Sequence, residues 1–397
     1  MLFFVKQANG KGRIKEKPED FLVEEITKEG EVLEVDKKIE KKDEEGDFIV
    51  FVLQKKLWNT YQALLKISKV LGRGKKAFGF AGTKDRKAIT TQLASFYKVE
   101  KERLLSIKIK DIKINGAWRS KNCIRLGDLL GNRFEIFVKT NDISDVLSTL
   151  NEFKNLQKFP NYFGPQRFGS RGNNFEIGLK LLNREFEPAA IEFLCSIKNE
   201  TNAQAIEARK KLSEEMDFKK ALGYFPMFLK YERKMLNFLS RQPRNFIGAF
   251  RTLPRNINLM FIHSVQAELF NEVLEKKVKE GSLEKEKIRC EANFYGFPDT
   301  NKISEKGIFP LGNLIGYKSM LDSYEEEALK KYSISKEDFL FKEFPEISQK
   351  GKLRALVAPV KELEIKEKEN GISFCFSLPN GSYATVFLSQ FFKELVA

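Results

Sequence analysis

The sequence predicts an α/β fold in which one domain is interrupted by a long inserted segment. Short apolar runs near both ends of the chain predict strands, among them Phe48 to Gln54 and the alternating stretch GISFCFSL that begins at Gly371. Between the ends, residues 175–344 carry mainly helical apolar spacing. The hydrophobic content of 42% is enough for a substantial core. We therefore expect one α/β domain around a mainly helical insertion.

A glycine-containing turn with one acid lies between two of the predicted strands. The stretch NTYQALLKISKVLGRG predicts a helix that Asn59 or Thr60 can cap and that Gly72 can end. Phe78 to Ala81 then predicts a strand, and TTQLASFYKV predicts the next one. Asp85 lies in the turn between them, at a strand end, where scaffolds commonly carry reactive groups.

The remaining segments give weaker predictions. RFEIFVKT predicts a strand, and YATVFLSQFFKEL, close to the last residue, predicts the start of a closing helix. Charge-dense segments predict loops or exposed helices at residues 34–47, 276–288 and 361–370.

The charge balance predicts a polyanionic partner. The chain has 70 Lys and Arg against 55 Asp and Glu, a net charge of +15, which favours nucleic acid or an anionic membrane surface. Its 36 phenylalanines can fill a core or stack on bases. The apolar runs are far shorter than the ~18 residues of a membrane helix, and the first residues lack a secretory pattern. We therefore expect a cytoplasmic protein that does not associate with membranes.

Several site chemistries are disfavoured by the residues present. The four cysteines lie far apart without a C-x-x-C pair, which disfavours a disulfide framework or a zinc site. His263 is the only histidine, and its apolar neighbours favour a packed or half-buried side chain. GKKAFGF lacks the Gly-Lys-Ser/Thr ending of a phosphate loop. The residues present therefore favour neither a zinc site nor a phosphate loop.

The turn FGFAGTKDRKAITTQ allows two interpretations of Asp85. Lys84, Arg86 and Lys87 surround it, with Lys76 upstream. Nearby cations favour an ionised carboxylate, which suits nucleophilic attack or electrostatic stabilisation, and the same cations could hold phosphates. Alternatively, Asp85 bonds its own backbone or an arginine. The residues alone favour the structural interpretation.

Six ordered motifs change this balance because together they resemble the TruD family of tRNA pseudouridine synthases. They are KEKPEDFLVEE (15–25), KKLWNT (55–60), FAGTKDRKAITTQ (80–92), RLGDLLGNRFEI (125–136), NYFGPQRFG (161–169) and LPNGSYATVFL (378–388). The resemblance departs at Ala267, where the family has Ser, and residues 199–258 match little.

The resemblance implies a fold and an activity. It implies a pseudouridine-synthase catalytic domain with a mixed, largely antiparallel sheet flanked by helices, at residues 1–181 and 350–397. A TruD-type α/β insertion domain would occupy residues 182–349. The family converts uridine to pseudouridine, typically at position 13 in the D-arm region of tRNA, without a cofactor. The implied partner is tRNA, and no protein partner is implied.

The resemblance also implies roles for single residues. Asp85 matches the catalytic aspartate, and Lys15 matches the basic residue that is expected to pair with this aspartate. Phe163 falls where the family places an aromatic ring against the target base, and Asn161 could bond the Asp85 loop or the base edge. The candidates for RNA binding are Lys84, Arg86, Arg167 and Arg171.

Two alternatives remain at this stage. The chain could be a pseudouridine synthase of broader RNA range, or a non-catalytic RNA-binding protein on the same fold. The intact Asp85 motif argues against the second. Whether the carboxylate attacks C1′ of the ribose or takes a proton from C2′ stays open.

Overall fold

The computed structural model describes residues 1–74 and 77–396, so Lys76, counted above among the cations of the turn, lies outside the described residues. The described chain divides into two compact units. The sheet unit contains residues 3–161, 291–299 and 357–396, and the helical unit contains residues 1–2, 162–290 and 300–356. The sequence predicted the corresponding boundaries at 182 and 349.

Strands predominate in the first third of the chain, and helices predominate between residues 174 and 279. The strands are β1 Lys11–Arg13, β2 Phe21–Ile26, β3 Phe48–Lys56, β4 Phe78–Phe80, β5 Ile89–Tyr97, β6 Ile112–Ser120, β7 Gly131–Lys139, β8 Lys158–Pro160, β9 Arg289–Ala292, β10 Pro298–Ile303, β11 Phe309–Leu314, β12 Lys352–Ala355, β13 Val357–Pro359, β14 Lys361–Lys368, β15 Gly371–Pro379 and β16 Glu394–Val396. The helices are α1 Thr60–Val70, α2 Lys101–Leu105, α3 Ile143–Lys154, α4 Asn174–Leu182, α5 Phe186–Cys195, α6 Ala203–Glu215, α7 Phe218–Tyr224, α8 Lys230–Leu239, α9 Phe246–Arg251, α10 Arg255–Lys279, α11 Ser323–Lys331 and α12 Ala384–Leu388.

One mixed sheet organises the sheet unit. Ten strands among the described residues form it, with the central order β14-β15-β7-β2-β5-β3-β6, while β4 pairs with β5 and β1 pairs with β7 and β16. The pairs β2–β5 and β1–β16 are parallel, and the other pairs described are antiparallel. Since β15 lies along the whole of β7, from Gly371 opposite Lys139 to Pro379 opposite Gly131, the two ends of the chain build one sheet. The predicted fold class is confirmed.

Apolar side chains from several helices pack against the strands of this sheet. The buried face of α1 carries Leu64 and Ile67, which pack in one cluster with Phe51 of β3 and Phe96 of β5. Aromatic rings bring α3, α12 and β15 together: the centroid of Phe387 lies 4.4 Å from Phe376, 5.4 Å from Phe153 and 5.2 Å from Phe391. Many of the abundant phenylalanines therefore fill the core.

Helices α4 to α11 supply most of the core of the helical unit. In the same unit β11 pairs antiparallel with β9 and β12. His263 of α10 is half-buried, and desolvation lowers its pKa to about 4. Across the two described stretches of chain, no helix has both the length and the apolar character needed to cross a bilayer.

Near the end of the chain one prediction is wrong and one is correct only in part. Residues 361–368 form strand β14, with alternating exposure, because an edge strand paired only with β15 in the central order can expose charged side chains. The closing helix is only α12, Ala384–Leu388, after which the chain turns and pairs as β16 with β1. The aromatic residues that follow α12 fill the core instead of extending the helix.

Replacing Phe387 by Ala tests the aromatic cluster. Because this ring is fully buried among other rings, we expect Phe387→Ala to lower the free energy of unfolding by about 3–5 kcal/mol. Phe294→Ala, in the same unit but at a ring that is 73% exposed, is the matched control and should change it by less than about 0.5 kcal/mol. Denaturant unfolding followed by circular dichroism measures both, and equal effects would contradict the assignment.

Candidate functional site

The loop of residues 81–88 connects β4 to β5 and contains the candidate carboxylate. Both ends of the loop are fixed by backbone hydrogen bonds. The Gly127 N–H donates to the Ala81 carbonyl at 2.8 Å, and the Leu57 N–H donates to the Ala88 carbonyl at 3.4 Å. Gly79 in β4 has to be glycine, since a Cβ there would lie 2.1 Å from the Ile124 carbonyl oxygen.

Two fully buried side chains hold the interior of the loop. The Thr60 hydroxyl oxygen, at the start of α1, accepts the Lys84 N–H at 3.0 Å and donates to Gln92 Oε1 at 2.9 Å. Gln92 Nε2, from β5, donates to the Gly82 carbonyl at 2.8 Å. A helix end and a strand therefore fix the peptides on the amino-terminal side of Asp85.

A buried lysine binds the backbone of Asp85 itself. Lys55 Nζ, from β3, donates to the Asp85 carbonyl oxygen at 2.8 Å and to the Lys84 carbonyl oxygen at 3.4 Å. Only 1% of Lys55 is exposed. Desolvation lowers the pKa of Lys55 to about 8, although the negative charge of Asp85 opposes this shift. Thr60, Gln92 and Lys55 are called the loop clamp below.

The carboxylate of Asp85 projects away from this clamp and pairs with a second lysine. Lys15 Nζ lies 2.8 Å from Asp85 Oδ2, and its side chain is 9% exposed whereas that of Asp85 is 43% exposed. Lys15 also lies over the Phe21 ring, 4.2 Å from its centroid. A charge-assisted hydrogen bond from a sheltered cation thus orients a carboxylate that water and solutes can still reach.

Lys84 points into the sheet unit, unlike its neighbours. Its ammonium lies 2.9 Å from Glu25 Oε2, an ion pair by distance without hydrogen-bond geometry, and donates to Asn132 Oδ1 at 2.6 Å. The side chains of Lys84 and Glu25 are 5% and 0% exposed. This geometry favours support of the loop over the predicted phosphate binding. Arg86 and Lys87 are exposed and form no hydrogen bond or ion pair with the described part of the chain.

Asn161 is buried near the end of the sheet unit's first segment. Its Oδ1 accepts a hydrogen bond from the Ser382 hydroxyl at 3.0 Å, so the NYFG stretch and the LPNGSYAT stretch meet in the fold.

Phe163 belongs to the helical unit, where its backbone and ring are both held. Its N–H donates to Asn271 Oδ1 at 2.8 Å, and its carbonyl accepts from Asn271 Nδ2 at 3.1 Å. The ring is 6% exposed. Its centroid lies 5.6 Å from that of Phe270, 5.4 Å from the Arg167 guanidinium carbon and 4.0 Å from that of Arg354.

Arg171, another predicted RNA-binding residue, is bound within the helical unit. Its guanidinium donates to the carbonyl oxygens of Ser196 at 2.9 Å and Phe193 at 3.0 Å. Desolvation lowers the pKa of Arg171 to about 10. These contacts favour a structural role.

Sequence reasoning missed the residues that act through their position. Lys55, Asn271 and Arg354 are ordinary polar residues within apolar segments, and only the fold shows what they contact. The one local signal was the placement of Lys55 and Thr60 in the KKLWNT motif. In residues 1–74 and 77–396, no cluster of His, Cys, Asp and Glu could hold a metal ion.

Comparisons with known proteins agree with this geometry. A family model described as tRNA pseudouridine synthase D (TruD) matches residues 1–391. The chain belongs to the TruD family. Its relatives include proteins named probable tRNA pseudouridine synthase D from Methanococcus vannielii, 36% identical over 97% of this chain and 96% of the relative, and from Methanocaldococcus jannaschii, 34% identical over 96% of each.

The fold agrees with the same family. A crystal structure of a TruD protein from Methanosarcina mazei superposes with a TM-score of 0.75 at 30% identity, covering 99% of this chain and 96% of that one. The resemblance to the TruD family is therefore confirmed over nearly the whole length.

Removing the Thr60 hydroxyl tests the loop clamp. Thr60→Val removes the hydroxyl that bonds the Lys84 N–H and Gln92 Oε1. We therefore expect the free energy of unfolding to fall by about 1–3 kcal/mol. Amide hydrogen exchange in residues 81–88 should accelerate in this variant. Thr83→Val, at an exposed threonine of the same loop, is the control. Unchanged protection of the loop in Thr60→Val would show that the clamp does not hold it.

Proposed function

We propose that this chain isomerises uridine 13 of tRNA to pseudouridine and that Asp85 is the essential carboxylate. Membership of the TruD family makes the chain a tRNA pseudouridine synthase, an isomerase. The observation that supports the finer assignment is the Asp85–Lys15 pair: a half-exposed carboxylate on a clamped loop, beside a sheltered ammonium 2.8 Å away. Such a carboxylate is both reactive and fixed in position.

In this proposal Asp85 acts on the ribose of a uridine swung out of the RNA helix. The carboxylate either attacks C1′ or takes the proton from C2′, and the bond between C1′ and the base breaks. The base rotates and C5 bonds to C1′, while the bond from C1′ to the carboxylate breaks or, on the other route, C2′ regains its proton. C5 then loses its proton and N1 gains one, so that no atom is gained or lost overall. Lys15 keeps the carboxylate oriented through its charge-assisted hydrogen bond.

Phe163 is proposed to stack on the extruded base, and Arg354 sets a condition for this. The Arg354 guanidinium lies over the Phe163 ring, 4.0 Å from the centroid. A base cannot stack on the ring face that the guanidinium covers, so stacking on that face requires Arg354 to leave it. Stacking of this kind contributes about 1–3 kcal/mol per base.

Exposed cations next to Asp85 are proposed to bind phosphates around the target nucleotide. Arg86 is exposed without a partner among the described residues, in contrast to the buried Lys84 and to the half-buried Arg171, which binds backbone carbonyls. Arg167 contacts the Phe163 ring by a cation–π interaction and is half-buried. Arg86 is therefore the strongest of the four predicted RNA-binding residues.

Asp85→Asn tests the proposed function. The amide keeps the shape but cannot act as a carboxylate, so we expect pseudouridine formation to fall by more than about 10³-fold. Binding of tRNA should stay near the wild-type level. Carbodiimide treatment followed by reverse transcription, on unmodified tRNA transcripts, maps the product, which we expect at position 13.

Asp145→Asn, at an exposed acid on α3, is the matched control and should retain wild-type activity. Turnover by Asp85→Asn would refute the catalytic assignment. Product at other positions, or in other RNAs, would favour an enzyme of broader range. Binding without product in the wild type would favour a non-catalytic RNA-binding protein.

Arg86→Gln tests phosphate binding beside the loop. Each phosphate contact releases counterions, so the slope of log affinity for tRNA against log salt concentration should become shallower by about 1. Lys66→Gln, the same charge change on the exposed face of α1, should leave the slope unchanged. Filter binding at several salt concentrations measures the slope for both variants. If Arg86→Gln has the same slope as the wild type, Arg86 does not contact a phosphate.

A further inference from the structure

We infer that Lys55 is a positioning residue for Asp85, whose buried ammonium holds the catalytic loop in its working geometry. The inference rests on the proposed function, because it takes Asp85 as the reacting group. Lys55 contacts the carbonyl oxygens of Asp85 and Lys84 and not the carboxylate, so it acts through the loop.

The geometry sets Lys55 apart from other lysines of the sheet unit. Its Nζ lies 2.8 Å from the Asp85 carbonyl oxygen, and the side chain is 1% exposed. A buried lysine without a direct carboxylate partner is costly, since burial penalises its charge. Two backbone carbonyls are neutral acceptors and offset only part of that cost. The retained ammonium is therefore better explained by what it holds than by stability.

The charged groups that face Lys55 come from the loop it holds. Asp85 favours its charged form, and Lys84 disfavours it. The residues opposite Lys55 on the neighbouring strands are Thr90 of β5 and Ile112 of β6, which carry no charge. Since the pKa of Lys55 lies at about 8, the ammonium loses its proton near neutral to mildly alkaline pH.

Loss of that proton weakens the clamp. Hydrogen bonds from an ionised donor are roughly twice as strong as those from a neutral one, so a neutral amine holds the two carbonyls less firmly. A displacement of about 1 Å at a reacting group can cost about 10²-fold in rate. Binding of tRNA is shared among several phosphate contacts, of which Arg86 on this loop is proposed to be one, and a phosphate contact does not require the same precision as the reacting carboxylate.

Lys55→Met tests the inference in the full chain. We expect the single-turnover rate of pseudouridine formation at saturating enzyme and pH 7 to fall by about 10²-fold, with tRNA affinity nearly unchanged. The wild-type rate should fall as pH rises through about 8, and this alkaline decrease should be absent from Lys55→Met. Lys56→Met is the matched control: Lys56 is the next residue of β3, is half-buried and pairs with Glu19.

Three outcomes decide the inference. A wild-type rate in Lys55→Met, or an alkaline decrease that persists in it, overturns the inference. If Lys55→Met does not fold, as thermal unfolding would show, the wild type alone decides: a rate that stays flat from pH 6.5 to 9 overturns it, and a decrease at constant tRNA affinity supports it. Wild-type and Asp85→Asn proteins are assayed in parallel. If the wild type is active and Asp85→Asn is not, the proposed function stands, and a negative result for Lys55→Met then counts against the role of Lys55 alone.

Discussion

The immobilisation of one loop peptide is the constraint on which the candidate site depends. Residues 81–88 have no regular structure, yet a reacting carboxylate has to be held to within about 0.5 Å. The three side chains of the loop clamp hold the loop backbone by hydrogen bonds from β3, α1 and β5. Those elements share one apolar cluster with Phe51, Leu64 and Phe96, so the position of the carboxylate is set by the packing of the core.

The charged side chains of the loop point in two directions, into the sheet unit and out to solvent. Lys84 turns inward to Glu25, while Asp85 and Arg86 face outward. A buried ion pair adds little to stability, because desolvation of the two charges offsets their attraction. Here Lys84 donates to Asn132 and the Leu93 N–H donates to Glu25 Oε1, whereas Glu25 Oε2 accepts no hydrogen bond from the described residues and has only the ion pair with Lys84. Its consequence is geometric: with Lys84 anchored inward, the next side chain is directed outward.

The sequence was informative where chemistry is local. Asn59 caps α1 through the Tyr61 N–H, and Gly72 has a positive φ of 68° at the end of the same helix, as its spacing predicted. The inward direction of Lys84 could not be predicted, because its partner Glu25 is far away in sequence. Strand β14 was missed for a related reason. Only Leu363 and Ile365 alternate in it, within a run of Lys and Glu, so the charge density outweighed the strand pattern and its pairing with β15 defines it.

In the helical unit, the contact between Arg354 and Phe163 limits how much the proposed base stacking can contribute to tRNA affinity. A cation–π contact such as Arg354 on Phe163 is worth about 0.5–2 kcal/mol, and base stacking about 1–3 kcal/mol. Exchanging one for the other is close to balanced, so capture of the base adds little to affinity. In the proposed mode of binding, affinity comes from phosphate contacts, while the ring, which Asn271 fixes through its backbone, determines where the base lies. Rigid placement of the ring matters more than the stacking energy itself.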